Sequence, residues 1–202
     1  MTSVRVEDVA AHPAFRRLAS IEGIDVDLRY ATPNNFSGRV FYDRFDCAWL
    51  RAEAAAGLEA SAAWLARTRP ACRIVVLDAL RPQRVQEAIW RDVAGTPAAR
   101  YFANPGRGSI HSFGMAVDVN LRDGNGRELE MGSGFDEMTL ASHPALEADR
   151  LAAGAITRDH IAARELLRGA MAAGGFAGIA TEWWHFDHGD RQRVRREFPR
   201  VL

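Results

Sequence analysis

The chain contains no lysine: all 26 basic residues are arginine, and 26 acidic residues cancel their charge. A formal net charge of zero leaves no global field to draw the protein onto nucleic acid or an anionic membrane surface, so neither is expected as a partner. The arginine preference, alongside abundant alanine, reads as compositional bias and carries no mechanism. Cysteine is almost as scarce. Cys47 and Cys72 stand outside any Cys-x-x-Cys arrangement and far from histidine in the sequence, so buried free thiols in a reducing compartment are expected. Between Met1 and Tyr30 no continuous apolar run occurs, which predicts neither an export signal nor a membrane span and points to the cytoplasm. Internal repeats, low-complexity stretches and linkers are also missing. What remains is 202 residues, 48% of them hydrophobic, enough to bury one core; residues 1–202 read as a single α+β domain.

The periodicities supply its parts. From Cys47 to about Arg67, apolar Leu50, Ala54, Leu58, Ala62 and Leu65 recur at three- and four-residue steps until Pro70, predicting an amphipathic helix. Arg73 to Asp78 is short, apolar and β-branched, the pattern of a buried strand, and Pro82 suits the first turn of a helix reaching Val93. Thr32 to Gly38 is dense in turn residues and reads as a surface loop. Met115 to Leu121 reads as a strand with Ala116, Asp118 and Asn120 on one face, followed by a hairpin turn at Asp123-Gly124-Asn125-Gly126 into Arg127-Glu128-Leu129. A helix is expected over Arg158 to Ala173 and a strand over Glu182 to Phe186, while Arg191 to Arg200 reads as a solvated terminal helix or coil.

Two segments carry chemistry. His111 approaches a strand through a Gly-containing turn, and Asp118 follows seven residues later on that strand, so both can converge on one ion. A catalytic zinc needs three protein ligands and an open position for water. Among the remaining histidines (His12, His143, His160, His185 and His188), His185 alone lies in an aromatic strand with a glutamate three residues before it, and it is the expected third ligand. Glu182, near the metal without binding it, is then placed to take the proton of the zinc-bound water. On an ideal strand, residues three apart face opposite sides, so the two can share a site only if the backbone twists, bulges or starts its strand after Glu182. Arg81, at a strand-to-helix junction, is a candidate electrophile for a developing oxyanion, with a plain ion pair as the alternative.

Ser109-x-His111-x-x-Gly114-x-Ala116-x-Asp118, together with Glu182-Trp183-Trp184-His185, resembles the VanX-like D-alanyl-D-alanine dipeptidases. These are relatives of the wider D-Ala-D-Ala carboxypeptidase, lysostaphin and hedgehog zinc fold. Asp27 to Thr32 with Asn35-Phe36, Asp78-Ala79-Leu80-Arg81-Pro82, and Met131 to Asp136 match further landmarks in the same order, so the resemblance spans roughly residues 25 to 190.

The resemblance implies a mainly antiparallel central sheet flanked by helices and one Zn2+ per chain on His111, Asp118 and His185. It makes Glu182 the base and Arg81 the transition-state arginine. It further implies that Asp136 and Ser109 hold the free ammonium group of a small dipeptide, which is then cut into two amino acids. Two other outcomes stay open: a D,D-carboxypeptidase acting on peptidoglycan stem peptides, and a non-catalytic zinc-stabilised binding module. Glu182 argues against the latter, since a structural site has no use for an unliganded carboxylate. Iron, cobalt or nickel also suit a site of two histidines and one carboxylate. Oligomeric state is not legible.

Overall fold

The computed structural model describes residues 3–202; Met1 and Thr2, which begin the stretch inspected for an export signal, lie outside them. Along the chain run strands β1 (Phe15–Arg17), β2 (Ile24–Val26) and β3 (Trp49–Arg51), helix α1 (Ala52–Thr68), strand β4 (Arg73–Asp78), helix α2 (Gln83–Val93) and strand β5 (Ala116–Arg122). Helices α3 (Glu147–Ala152) and α4 (Arg158–Ala173), strands β6 (Phe176–Gly178) and β7 (His185–His188), and helix α5 (Arg191–Glu197) follow. Five strands form one sheet in the order β2-β4-β5-β7-β6, in which only β2 and β4 run parallel. This is the α+β architecture with a mainly antiparallel sheet that the sequence predicts. No helix of the described residues is long and apolar enough to cross a membrane.

The core lies between the sheet and the helices α1 and α4. Ala54, Leu58, Ala62 and Leu65 of α1 join Leu167, Ala170 and Met171 of α4 and Val117, Val119 and Leu121 of β5 in one buried cluster. Each fully buried leucine there contributes roughly 2 kcal/mol of transfer free energy. Helix α4 starts at a capping box, in which Thr157 Oγ1 accepts from His160 N and His160 Nδ1 accepts from Thr157 N, both at 3.2 Å. Cys47 and Cys72 are buried and free.

Three local expectations need correction. Helix α1 begins at Ala52, not Cys47, because Trp49–Arg51 pairs antiparallel with β1 in a separate two-stranded ladder; the buried Leu50 fits either period. The turn after β5 forms, with Asp123 Oδ1 accepting from Asn125 N and Arg127 N at 2.9 Å, but its return arm makes only the bridge Arg122↔Glu128. Trp184 O already takes Val119 N on that edge of β5, leaving little length for a second strand. The aromatic strand starts at His185 rather than Glu182. The arginine-rich tail forms the expected terminal helix, α5, exposed along most of its length and anchored by the buried Val194; beyond it Val201 is buried and Leu202 N donates to Val4 O at 2.8 Å.

Candidate metal centre and its cavity

Three adjacent strands set the site's first row. Asp118 of β5 faces His185 of β7 on one side and Asp78 of β4 on the other. A bulge makes the second pairing: Val76 pairs with Val119 but Asp78 with Asp118, so Leu77 is an extra residue and Asp78 is re-aimed beside Asp118. His111 arrives from the 3-10 turn Ile110–Phe113, which Gly114 ends at φ 67°. A Cβ at Gly114 would lie 3.1 Å from Arg51 N and 3.0 Å from Phe15 Cε1, so this tight return onto β5 demands glycine.

His111, Asp118 and His185 converge. His111 Nε2 lies 3.1 Å from His185 Nδ1 and 3.4 Å from Asp118 Oδ1, and His185 Nδ1 lies 3.0 Å from Asp118 Oδ1. Tetrahedral zinc with bonds of about 2.0–2.1 Å separates its donors by about 3.3 Å, close to this triangle. The outward ring atoms settle the tautomers. His111 Nδ1 is 2.8 Å from Ala79 O, an acceptor only, and His185 Nε2 is 2.9 Å from Asp187 Oδ1. Each outward nitrogen therefore carries hydrogen, and neutral rings turn two lone pairs toward a carboxylate oxygen with no proton among them. Such a cluster needs a positive charge at its centre, which a divalent metal can supply with this donor set and which a proton on His185 supplies in the chain alone. Burial alone would raise Asp118, yet His111 and His185 hold its carboxyl far below the usual range. Burial would lower His185, but Asp187 and Asp118 hold it well above its ordinary value.

The other histidines are engaged elsewhere. His160 caps α4, His143 Nε2 sits 2.9 Å from Tyr101 Oη, His12 Nδ1 accepts from Ala14 N at 3.2 Å, and His188 packs on Phe176.

Glu182 lies just before β7, which removes the facing problem of an ideal strand. It is 8% exposed, and burial pushes its pKa up to about 7, with Asp118 adding to the rise against the pull of His185. Arg81 is fixed by four contacts. Nε and Nη2 donate to Asp78 Oδ2 at 2.9 and 2.7 Å, Nη2 also reaches Asp118 Oδ2 at 3.3 Å, and Nη1 donates to Gln86 Oε1 at 3.2 Å. Of the five guanidinium hydrogens, these contacts leave one on Nη1 uncommitted. The ring of Tyr30 lies 4.9 Å from the guanidinium carbon.

Tyr30, Arg81, His111, Asp118, Glu182 and His185 line one cavity of about 340 Å³, with Ser109, Asp136 and Trp184 in the same wall. Asp136 sits in the left-handed region at φ 58°, a conformation that costs energy for a residue with a side chain. Its Oδ1 accepts from Tyr30 Oη at 3.3 Å, while Oδ2 is buried and has no hydrogen-bond partner. The residue as a whole is partly exposed, but burial of the carboxyl and the nearby Asp118 raise its pKa to about 8, despite Arg81.

The wall matches a known family. A family model described as D-ala-D-ala dipeptidase, Peptidase_M15, covers residues 17–202. The chain belongs to this family. It is 35% identical over 171 residues to the D-alanyl-D-alanine dipeptidase of Escherichia coli K12, spanning 81% of this chain and 78% of that one. It is 32% identical over 187 residues to the protein of the same name from Streptomyces coelicolor, spanning 82% and 86%. A solved LdcB LD-carboxypeptidase aligns at a TM-score of 0.42 and 18% identity over 76% of this chain, which covers 65% of that structure.

Two members of the site lie outside the residues that the sequence singled out. Asp187 is 4% exposed and holds His185. The strand period offered a signal, since residues 185 and 187 share a face. Asp78, fully buried, holds Arg81 and accepts from Tyr42 Oη at 2.6 Å, a contact between segments 36 residues apart that no local pattern announces.

Proposed function

We propose that the protein hydrolyses D-alanyl-D-alanine, or a similarly small free dipeptide, to two amino acids in a zinc-dependent reaction. His111 Nε2, Asp118 Oδ1 and His185 Nδ1 would hold the ion. When bound, zinc supplies Lewis acidity that makes water nucleophilic near neutral pH and polarises the scissile carbonyl. Glu182, ionised, takes the proton from the attacking water and delivers it to the leaving amine, for which a pKa near 7 suits both directions of transfer. Arg81 is held rigid by Asp78 and points its uncommitted Nη1 hydrogen at charge developing on the carbonyl oxygen.

The observation that carries the choice of substrate is the buried, partnerless Oδ2 of Asp136 in the metal-bearing cavity. A free ammonium group is the natural partner for it, with Ser109 Oγ as a further acceptor. A longer peptide has no ammonium at this distance and would leave Asp136 protonated and without an ionic partner, forgoing the charge-assisted contact that a free dipeptide makes. That disfavours the D,D-carboxypeptidase reading, and Glu182 disfavours a binding module. The names of the relatives support the same substrate. We take residues 1–202 as one catalytic domain with one zinc, acting in the cytoplasm.

The test is release of free D-alanine from D-Ala-D-Ala by zinc-loaded protein, beside L-Ala-L-Ala and N-acetyl-D-Ala-D-Ala. Cleavage of the free D,D-dipeptide alone is expected. Preference for the acylated peptide would instead make it a carboxypeptidase, and no cleavage despite bound zinc would remove the enzymatic reading.

A further inference from the structure

The cavity is polarised in charge. Around Tyr30, Asp136 and Met138 it offers a carboxylate; beyond His185 it is lined by Arg107, Arg191 and Arg195. From this second end a surface groove continues, sharing those three arginines with the cavity but not Tyr30, Asp136 or Met138. The arginines therefore lie where the cavity meets the groove, a region that Asp136 does not border.

The arginines are short of anions. Among the described residues the Arg107 side chain has no hydrogen bond or ion pair, and Arg195 spends Nε and Nη2 on a single carbonyl, Gly108 O, at 3.2 Å each. Arg191 is bonded to Asp187, whose other oxygen already holds His185. Of the two carboxylates beside these three guanidinium groups, Asp187 is bonded to Arg191 alone of the three, and Asp190 accepts from Arg193 N at the start of α5. Arg195 registers the imbalance, because burial and the proximity of Arg107 and Arg191 lower its pKa. Other arginines near the chain's surface are paired, Arg16 with Glu59 at 2.7 Å and Arg168 with Glu147 at 2.8 Å; what sets this group apart is that three guanidinium groups line one cavity end together. Like charges gathered against a cavity wall in excess of the carboxylates bonded to them can serve as a subsite for an anion.

We propose that Arg107 and Arg195, backed by Arg191, form a carboxylate-recognition subsite for the second, leaving residue of the substrate. The direction of binding rests on the dipeptidase reading. With the ammonium at Asp136 and the scissile carbonyl at the metal ligands and Arg81, the C-terminal residue projects toward the arginines. Guanidinium groups bind carboxylates in a planar, bidentate fashion, so the subsite selects a free acid over an amide or ester. The carboxylate is either the terminal one or an acidic side chain on the second residue, and the same chemistry reads both.

Arg191 is a poor probe because it also holds Asp187, so the variants are Arg107→Gln and Arg195→Gln, alone and together. Arg107→Gln removes no intramolecular partner and is expected to fold as the parent does. For D-Ala-D-Ala, the double variant should raise KM on the order of tenfold with kcat within about twofold, as expected for lost charge-assisted binding away from the reacting atoms. D-Ala-D-Ala amide should bind the parent weakly and be indifferent to both substitutions. D-Ala-D-Glu against D-Ala-D-Gln separates the sources. A variant effect confined to the glutamate peptide assigns the subsite to the side chain, and an equal effect on both assigns it to the terminus.

Calorimetric binding of the same peptides in a Glu182→Gln background gives the ratio of Kd values without turnover. The subsite is thereby scored even if the parent hydrolyses nothing, an outcome that would overturn the dipeptidase reading instead. Equal Kd and KM for acid and amide in the parent, or variant losses identical on acid and amide for both pairs of peptides, would overturn the subsite.

Discussion

Asp187 Oδ1 lies 2.9 Å from His185 Nε2, so the carboxylate that orients this imidazole comes from the same strand, two residues on. A strand with a period of two presents both side chains on one face, and the contact fixes which ring nitrogen is free to bind a metal. Removing such a partner typically lowers metal affinity 10- to 100-fold. Asp187→Asn is therefore expected to weaken zinc binding by about that factor, measured by competition with a chromophoric chelator. An unaltered affinity would mean that ring packing, rather than the carboxylate, sets the orientation.

Glu182 and His185 should separate in their effects. Glu182→Gln keeps the ligand triangle and is expected to bind zinc normally while losing roughly 10²–10⁴-fold in kcat; His185→Ala loses both. The base must be ionised, so kcat/KM falls as pH drops through the Glu182 pKa, about 7 in the free chain. A bound cation favours the carboxylate, so zinc-loaded enzyme should show this acid limb below pH 7, and Glu182→Gln should lack it.

Tyr42 tests whether rigidity at Arg81 matters. Its hydroxyl donates to Asp78 Oδ1 at 2.6 Å while Asp78 Oδ2 takes two donors from Arg81. Loss of the hydroxyl in Tyr42→Phe leaves Asp78 short of one buried partner, at a cost of about 1–3 kcal/mol in stability. Arg81 then gains freedom, so kcat should fall several-fold with KM little changed, and a fall in stability alone without any kcat change would confine Tyr42 to a packing role.

Much of this arrangement follows from local pattern. The strand at Arg73–Asp78 and the helix at Arg158–Ala173 fall where the sequence predicts them, the first as a short apolar run buried on both faces and the second through its apolar face and the glycines that end it. The spacing of His111 and Asp118 announces convergence because a turn and the strand after it bring them together. Tertiary competition is what stays hidden. Leu50 suits a helix or a strand, and only its partner β1 decides. The bulge at Leu77 and the Tyr42–Asp78 contact likewise depend on segments far apart in sequence, and the arginines beyond His185 look like a solvated tail until Gly108 and the cavity lie beside them.

Asp136 sets function against stability. In the free chain its Oδ2 is buried without a partner and its backbone occupies φ 58°, where asparagine is tolerated as well as aspartate. Its pKa is raised to about 8 in the folded state, against about 3.9 when unfolded. Between these values the unfolded chain has released a proton that the folded chain keeps, so the unfolded state binds fewer protons and stability declines as pH rises. The contribution is fully present below about pH 4 and lost once pH passes about 8. Asp136→Asn removes the ionisable group without altering shape, so the ligand-free variant should melt higher than the parent at pH 8 and above, with the advantage shrinking toward pH 5. The same substitution removes the charge opposite the substrate's ammonium group and should raise KM for D-Ala-D-Ala strongly. Thermal melts across pH, paired with KM, separate the two roles: an unchanged KM removes the anchor, and a melting temperature that does not rise removes the buried-charge argument.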